Sequence, residues 1–340
     1  MRFKSTLTAV ACVAGLCSRA VAGQSSHQVR QSCPSGFGSF AVQKHLDRAK
    51  VLIGSELPQN LLRGLWLAPR LRHFCAQHGV VSYDFGHTPL PPAQAFDQLY
   101  WVGRTDVGTW ILKTDDGLIM FDAMYNRDDA MNSIEAGMRK LGLNPVNLKY
   151  IVVTHGHDDH WGGSKYFQDK YGTMVLMASA DKSLLKPSGD ALPPRVDAQI
   201  VDGMLLKLGS TIVHLYMTPG HTPGSISAIF PVTDHGMPHT VAMPGGVGLP
   251  PELAPSPTSN AGLLQYESSI KRLRRLAQDA SADVVVSTHP FFDDTIVKAK
   301  VVDRQASRWI IGKDGVIRYF TAIYEVAKAY EGILRAHPAL

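Results

Sequence analysis

The chain has 340 residues, of which 45% are hydrophobic and 19% are charged, and its formal net charge is +5 at pH 7. This composition excludes intrinsic disorder, which requires low hydrophobicity and high net charge. It also excludes a polytopic membrane protein, because no segment after the N-terminus reaches the roughly 18 apolar residues that a membrane-spanning helix needs.

Residues 1–22 have the pattern of a secretory signal peptide. Arg2 and Lys4 precede the apolar run Leu7–Leu16, and Ala20–Ala22 provides small residues for cleavage. The apolar run is too short to cross a membrane. We therefore expect a secreted protein, extracellular or, if the host is a bacterium, periplasmic, with no membrane contact after cleavage.

Residues 23–95 are predicted to form an N-terminal extension of loops and helical stretches. After cleavage it contains both remaining cysteines, Cys33 and Cys75. In an oxidising compartment these two side chains could form a disulfide. Two unpaired thiols are the alternative, and both interpretations remain open at this point.

Apolar runs after the extension predict a series of strands, at Leu99–Val102, Thr109–Lys113 and Leu118–Asp122. The last two flank Asp115-Asp116-Gly117, which is typical of a hairpin turn. A helical stretch at about 130–141 then leads to Leu148–Val153. That run is rich in β-branched residues and is typical of a strand buried on both faces.

A similar order recurs in the second half of the chain. Strands are predicted at 211–216, 225–230, 240–243 and 283–287, with an amphipathic helix at about 263–278. Strands followed by helix–strand alternation favour a single α/β domain over residues 96–340, with its sheets covered by helices.

A basic stretch, Lys271–Arg275, lies on the predicted helix. Without the three basic residues of the signal segment the net charge falls from +5 to +2. Because this balance is weak, the stretch is interpreted as a solvated helix face, and no nucleic-acid partner is expected.

Residues of metal-binding type cluster directly after the strand Leu148–Val153. His155 and His157 are two positions apart, so both point the same way in an extended turn. Asp159 and His160 open the next helix and point elsewhere. Since neutral imidazoles and carboxylates are ligands for zinc, four such residues directed at two points predict two metals.

Two further histidines stand at strand ends and complete two sites of three ligands. His221 lies in the tight turn Thr218–Ser225, and His289 follows the predicted strand 283–287. Gly162 and Gly163, after the first cluster, are expected to allow a close approach of the backbone.

Together these motifs resemble the metallo-β-lactamase superfamily. The likeness is carried by His155-x-His157-x-Asp159-His160, by Gly220–Ser225 and by His289, and it spans about Tyr100 to Thr295. It implies an αββα sandwich, in which two sheets pack face to face between outer helices. The extension is not covered by the likeness.

The resemblance implies a hydrolase with two Zn²⁺ per chain, whose substrate is a small molecule with a hydrolysable carbonyl. The expected ligands are three histidines for one metal and an aspartate with two histidines for the other: His155, His157 and His221, then Asp159, His160 and His289. Five nitrogens among six ligands favour zinc over manganese or magnesium. A metal-bound hydroxide would attack the carbonyl carbon, and Asp159 would orient it and relay its proton.

The branch of the superfamily is inferred from a missing residue. Glyoxalase II-like thioesterases, lactonases and nuclease-type members carry a further Asp that bridges both metals, whereas residues 241–250 contain no carboxylate. This pattern is similar to the β-lactamase subclass with the same ligand set. We therefore expect a β-lactamase or related lactamase that opens a cyclic amide. The alternative is a lactone, ester or thioester hydrolase on the same scaffold.

Some residues depart from that subclass, and all are expected beside the substrate pocket. Asp158 and Trp161 replace small residues, and Pro244–Gly246 stand where a serine is frequent. The long loops 186–195 and 244–260 are expected either to shape the pocket or to serve as plain connections.

Neighbours of the predicted ligands are assigned supporting roles. Asp122 either orients a ligand or forms a strand-end turn, Asp158 is a candidate helix cap, and Thr222 and Ser225 are expected to serve turn geometry. A zinc-storing protein is the alternative from another class, but structural zinc sites usually have four ligands and these have three.

Overall fold

The computed structural model describes residues 40–65, 85–250, 259–301 and 306–336. The predicted signal peptide, Cys33 and Cys75 lie outside these residues. Within the described helices, none combines the length and the apolar character needed to cross a membrane.

Twelve strands form two sheets within the described residues. The first is seven-stranded, with its strands in chain order: β1 (Ala93–Gln94), β2 (Leu99–Gly103), β3 (Gly108–Thr114), β4 (Gly117–Phe121), β5 (Leu148–Val152), β6 (Met174–Met177) and β7 (Ala198–Gln199). The second is five-stranded, in the order β12-β11-β10-β9-β8: β8 (Met204–Leu208), β9 (Thr211–Met217), β10 (Ile226–Asp234), β11 (Met237–Met243) and β12 (Val284–Val285).

Helices connect and cover these strands. The α-helices are α1 (Phe40–Ile53), α2 (Asn60–Leu65), α3 (Ala136–Lys140), α4 (Asp158–Trp161), α5 (Ser164–Tyr171), α6 (Ser259–Asp279), α7 (Thr295–Lys298) and α8 (Gly312–Ala336). A π-helical segment, Asp129–Glu135, leads into α3, and short 3₁₀ turns lie at Pro145–Asn147, Ser179–Leu184 and Ala306–Arg308.

Three apolar clusters define four layers, which confirms the predicted αββα sandwich. The central cluster lies between the sheets and includes Trp110, Phe121 and Phe230, with the last two rings stacked at 5.2 Å. An outer cluster packs the segment 129–140, α4 and α5 on the seven-stranded sheet. The other outer cluster packs α1, α2, α6 and α8 on the five-stranded sheet.

Most predicted elements are present at the expected positions. The hairpin β3–β4 pairs antiparallel from Trp110↔Phe121 to Thr114↔Gly117. Strand β5 pairs in parallel with both β4 and β6, so it lies inside the sheet, although Lys149 is exposed. The apolar face of α6 is buried at each expected position, with Leu263 and Leu273 at 0% exposure.

The strand predicted at 283–287 is longer than the one observed. Only Val284 and Val285 pair with β11, because the next residues leave the sheet: the backbone N–H of Ser287 donates to the carboxylate of Asp293 at 2.9 Å. The short strands β1, β6, β7 and β8 and the long helix α8 were not predicted from the sequence.

The basic residues of α6 make local contacts. Arg272 donates to Asp202 at 2.8 Å and lies over the ring of Tyr216, and Arg274 donates to Thr321 on α8. These contacts give the basic stretch a role in attaching α6 to its neighbours.

Candidate metal centre

Residues from both sheets meet at one end of the sandwich. In the first sheet, β5 ends at Val152 and continues into the turn that carries His155 and His157, followed by α4 with Asp159 and His160. In the second sheet, His221 lies in the connection from β9 to β10, and His289 follows β12. The carboxyl ends of strands are the usual location of ligand sites in open α/β sheets.

The first group consists of three imidazoles. His155 Nε2 and His157 Nδ1 are 3.1 Å apart, and His221 Nε2 is 3.1 Å from the same His157 Nδ1. The three nitrogens therefore face a common point.

An aspartate and two imidazoles form the second group. Asp159 Oδ2 lies 3.4 Å from His160 Nε2 and 3.5 Å from His289 Nε2. The two Nε2 atoms are 3.2 Å apart. The rings of His155 and His160, one from each group, have centroids 3.9 Å apart, so the groups are adjacent.

These spacings fit zinc. A tetrahedral zinc with ligands at about 2.0–2.1 Å places its ligand atoms about 3.3 Å from one another, and the distances within both groups lie close to that value. Each group offers three protein ligands, which leaves a fourth position open, as in catalytic zinc sites. The structure thus brings together all six residues singled out in the sequence, in the expected partition.

Several imidazoles are oriented by a partner on the nitrogen that faces away from the group. His221 Nδ1 donates to the carbonyl of Gly248 at 2.9 Å. His289 Nδ1 donates to the carbonyl of Asp106 at 2.7 Å. Such bonds fix the ring orientation and leave Nε2 free as a ligand. Neither carbonyl was predicted, since a backbone acceptor has no sequence signature.

Asp122 supports the second group and shapes its own turn. Its Oδ2 lies 2.6 Å from His160 Nδ1, and its Oδ1 accepts from the backbone N–H of Thr154 at 2.7 Å. The residue has φ 64°, a left-handed conformation that Asp tolerates better than most residues. The two roles proposed from the sequence, ligand orientation and strand-end turn, are therefore both present.

Asp181, which was not predicted as a site residue, joins the turns of the first group. This fully buried residue accepts hydrogen bonds from the backbone N–H groups of Gly156 at 2.8 Å and Gly224 at 2.6 Å, and from the Thr222 hydroxyl at 2.5 Å. Only a weak sequence signal pointed to Asp181, which is an acidic residue shortly after the apolar run Met174–Met177. That run forms β6, which was not predicted either.

The glycines after His160 allow the close approach expected of them. A Cβ on Gly162 would lie 1.7 Å from the carbonyl oxygen of Tyr125, and one on Gly163 would lie 2.4 Å from that of Ala123. Any side chain at these positions would force apart the two backbones that hold α4 in place.

Two interpretations of the first cluster are wrong. Asp158 does not cap α4, because the helix begins at Asp158 itself and His157 occupies the cap position; the Asp158 carboxylate instead accepts from the hydroxyl of Ser188 at 2.6 Å. Trp161 does not line the pocket, because its side chain is 1% exposed and its indole N–H donates to the Gly156 carbonyl. Trp161 is a core residue that supports the His155–His157 turn.

The turn around His221 has the expected form. Ser225 Oγ accepts from the backbone N–H of Thr222 at 3.0 Å, which closes the turn. Gly246, with φ 68°, packs against His221 so closely that a Cβ there would lie 2.6 Å from the His221 Cβ. No carboxylate occurs in residues 241–250, so a bridging aspartate has no candidate there.

The electrostatics of the two groups differ. Burial lowers the pKa of His155 well below its usual range and that of His221 to about 3, with nearby His157 and His160 acting in the same direction. Both therefore favour the neutral, metal-binding form. At His160 burial lowers the pKa, but the carboxylates of Asp159 and Asp122 outweigh it and raise the pKa to about 10. The second group therefore has two carboxylates beside it, those of Asp159 and Asp122, whereas the first group consists of imidazoles alone.

Comparisons with known sequences match part of this chain. The family model for the metallo-beta-lactamase superfamily matches residues 102–234. Hydroxyacylglutathione hydrolase of Acidiphilium cryptum is 32% identical over 108 residues, which are 32% of this chain and 40% of that protein. The chain spans less than half the length of the curated relatives it matches.

Comparisons with solved structures cover more of the chain. BJP-1, a subclass B3 metallo-beta-lactamase of Bradyrhizobium japonicum, is similar over 74% of this chain and 99% of that one, with 24% identity and a TM-score of 0.59. The metallo-beta-lactamase GOB-18 from Elizabethkingia meningoseptica is similar over 74% and 95%, with 22% identity and a TM-score of 0.62. At these identities the likeness establishes the fold.

Proposed function

We propose that this chain belongs to the metallo-beta-lactamase superfamily, whose family model matches residues 102–234. Within that superfamily we propose a dinuclear zinc hydrolase that opens a cyclic amide, as a β-lactamase or related lactamase. The observation that carries the proposal is the pair of adjacent three-ligand groups with no carboxylate in residues 241–250. The fold similarity to solved metallo-beta-lactamases supports it.

The six candidate ligands would bind the two metals, and one of them, Asp159, would also transfer a proton. His155, His157 and His221 would hold one zinc, and Asp159, His160 and His289 the other. Zinc supplies a Lewis acid that polarises a carbonyl and lowers the pKa of water. This is the chemistry that amide hydrolysis requires.

Asp159 is the one carboxylate among the six side chains. Its Oδ2 faces His160 and His289, which leaves Oδ1 as the atom that can accept a proton from the attacking water. The adjacent His160 holds the pKa of Asp159 below its usual range despite burial. The carboxylate is therefore ionised at neutral pH, which is the form that binds a metal. We assign it the relay of the proton because it is the carboxylate among the six candidate ligands.

A second candidate is a thioester, lactone or ester hydrolase. The sequence relatives favour it, because they are hydroxyacylglutathione hydrolases, which act on a thioester, at 28–32% identity. The absence of a carboxylate from 241–250 argues against it. Both candidates share the nucleophile and differ in the leaving group, which is an amide nitrogen in one and a thiolate or alkoxide in the other.

A substrate panel separates these candidates. Purified protein would be assayed with a chromogenic cephalosporin, a simple lactam, a lactone and an S-acyl glutathione thioester. We expect turnover of the cephalosporin that a chelator abolishes and added zinc restores, while His221→Ala is inactive toward all four. Turnover of the lactone or thioester alone would show that the second candidate is correct. Two zincs with no turnover of any substrate would favour a zinc-storing protein.

We also propose that the protein is exported, on the N-terminal pattern of residues 1–22 alone. Expression of the full chain followed by N-terminal sequencing of the secreted or periplasmic product tests this. A mature chain that begins at Gly23 is expected, and a chain that keeps its first 22 residues in the cell would contradict it.

A further inference from the structure

Asp181 is a buried carboxylate that is not one of the six candidate metal ligands. It lies in the 3₁₀ turn Ser179–Leu184, which follows β6, and its exposure is 0%. A buried carboxylate is costly unless it is fully hydrogen-bonded. Its partners come from two other parts of the chain, so the residue joins three segments that are distant in sequence.

The partners of Asp181 belong to the two turns that carry the first ligand group. Gly156, whose N–H donates to Oδ2 at 2.8 Å, stands between His155 and His157. The Thr222 hydroxyl, at 2.5 Å from Oδ2, and the Gly224 N–H, at 2.6 Å from Oδ1, follow His221 in its turn. One side chain therefore contacts both turns and touches none of the three imidazoles through these bonds.

The glycines of the two turns also pack closely against Asp181. A Cβ on Gly224 would lie 2.6 Å from Asp181 Cγ, and a Cβ on Gly156 would lie 3.0 Å from Asp181 Cβ. Glycine at both positions allows the turns to close on the Asp181 side chain. Leu184, from the same 3₁₀ turn, also packs on Gly156, where a Cβ would lie 2.7 Å from Leu184 Cβ.

The two turns depend on such a link because they belong to different sheets. The His155–His157 turn follows β5 of the seven-stranded sheet, and the His221 turn connects β9 and β10 of the five-stranded sheet. One backbone bond, from Ile226 N–H to the Thr154 carbonyl at 2.8 Å, also joins them. That bond fixes the bases of the turns, whereas Asp181 fixes the segments next to the ligands.

We propose that Asp181 is a positioning residue that sets the distance between His221 and the pair His155–His157, and so the zinc affinity of the first group. The role rests on the proposed zinc-dependent function. A carboxylate is needed because all three partners are donors: an asparagine would turn an NH₂ group toward either the Gly156 or the Gly224 N–H. The second group does not use Asp181, since Asp122 and the Asp106 carbonyl orient its histidines.

The test is a zinc-binding measurement on the full chain, independent of any substrate. Wild type, Asp181→Asn and Asp283→Asn would be titrated with zinc against a chromophoric chelator to resolve two affinities. Asp283 is a matched control, because it accepts from His239 and the Thr240 N–H and bonds none of the ligand-bearing turns. We expect Asp181→Asn to lose about 10–100-fold in affinity at one site only, and Asp283→Asn to match the wild type.

The milder variant Thr222→Val keeps the experiment decisive if Asp181→Asn does not fold. It removes one donor to Asp181 and retains the shape of the side chain, so a smaller loss at the same site is expected. Two unchanged affinities in the folded variants, or an equal loss at both sites, would overturn the role of Asp181 alone. A wild-type chain that binds no zinc would refute the proposed function together with this role.

Discussion

The side chains of Asp122 and His160 meet in the interior although 38 positions separate them in the sequence. Asp122 Oδ2 lies 2.6 Å from His160 Nδ1, and the two side chains are 0% and 1% exposed. Because the bond occupies Nδ1, the other ring nitrogen, Nε2, is directed at Asp159 and His289. A residue at the end of β4 thus determines which atom of a ligand on α4 is available to a metal.

Replacement of Asp122 by asparagine should weaken zinc binding without disturbing the turn. Asparagine tolerates the left-handed conformation of this position but loses the charged acceptor for His160. Such substitutions typically cost about 10–100-fold in metal affinity or activity. Two-site zinc titration checks this. The loss of affinity should occur at the second group, whereas Asp181→Asn should affect the first. Equal affinities in the variant and the wild type would contradict the role of Asp122.

Removal of a single histidine, from either group, should lower the zinc content from two per chain to one. His221→Ala and His289→Ala delete a ligand outright, so hydrolysis should fall by more than the about 100-fold that an orienting residue can cost. Elemental analysis of dialysed protein gives the metal content. His214→Ala, on β9 outside both groups, is the matched control and should retain two zincs. A variant of His221 or His289 that keeps both metals would remove that residue from the ligand set.

Chelation should lower the stability of the folded protein. A ligand that binds only the native state adds about 2.7 kcal/mol per site when its free concentration is about 100 times Kd. Calorimetry should therefore show a lower Tm in a chelator, reversed by added zinc. Chelator presaturated with zinc is the control and should leave Tm unchanged. A Tm insensitive to both treatments would indicate that the two groups do not bind zinc in the native state.

Gly162→Ala should destabilise the protein severely. The added Cβ would lie 1.7 Å from the Tyr125 carbonyl oxygen, and backbone cannot move aside as a flexible side chain can. We expect a loss of at least about 3 kcal/mol in the free energy of unfolding, the upper end for overpacking. Gly262→Ala on α6, where a Cβ would meet nothing within 4 Å, should instead stabilise by about 0.5–1 kcal/mol. Urea denaturation measures both, and similar values for the two variants would disprove this account.

Asp293 should make the protein lose stability as pH rises from about 4 to 7. Burial raises its pKa from 3.8 to about 6, against the opposing effect of Lys298. The folded state therefore binds the proton more tightly than the unfolded state does, and this contribution is present at low pH and lost as pH rises through the folded-state pKa.

The contribution of Asp293 to the free energy of unfolding should fall by about 3 kcal/mol, because its pKa differs by about two units between the folded and unfolded states. Other carboxylates titrate in the same range, so the measured quantity is the difference in unfolding free energy between wild type and Asp293→Asn. The free energy of unfolding of the variant, relative to that of the wild type, should increase as pH rises from 4 to 7. A difference that does not change with pH would show that Asp293 ionises normally.

Local sequence patterns determined much of the fold and the identity of the candidate ligands. The turn Asp115-Asp116-Gly117 and its flanking apolar runs specify the β3–β4 hairpin, because a tight turn and its strands interact over only a few residues. The spacing of His155, His157, Asp159 and His160 has the same local character. These features could be predicted because the groups that cause them are close in sequence.

Tertiary structure alone decided how the ligands are held. Asp181, the Gly248 carbonyl and the Asp106 carbonyl orient the ligand turns across 25 to 183 positions of the chain, and backbone carbonyls are the same at every residue. Trp161 was misplaced for the same reason, since its burial depends on packing of α4 against another layer. Sequence specifies which side chains can bind a metal, whereas long-range hydrogen bonds and packing determine which of their atoms face it.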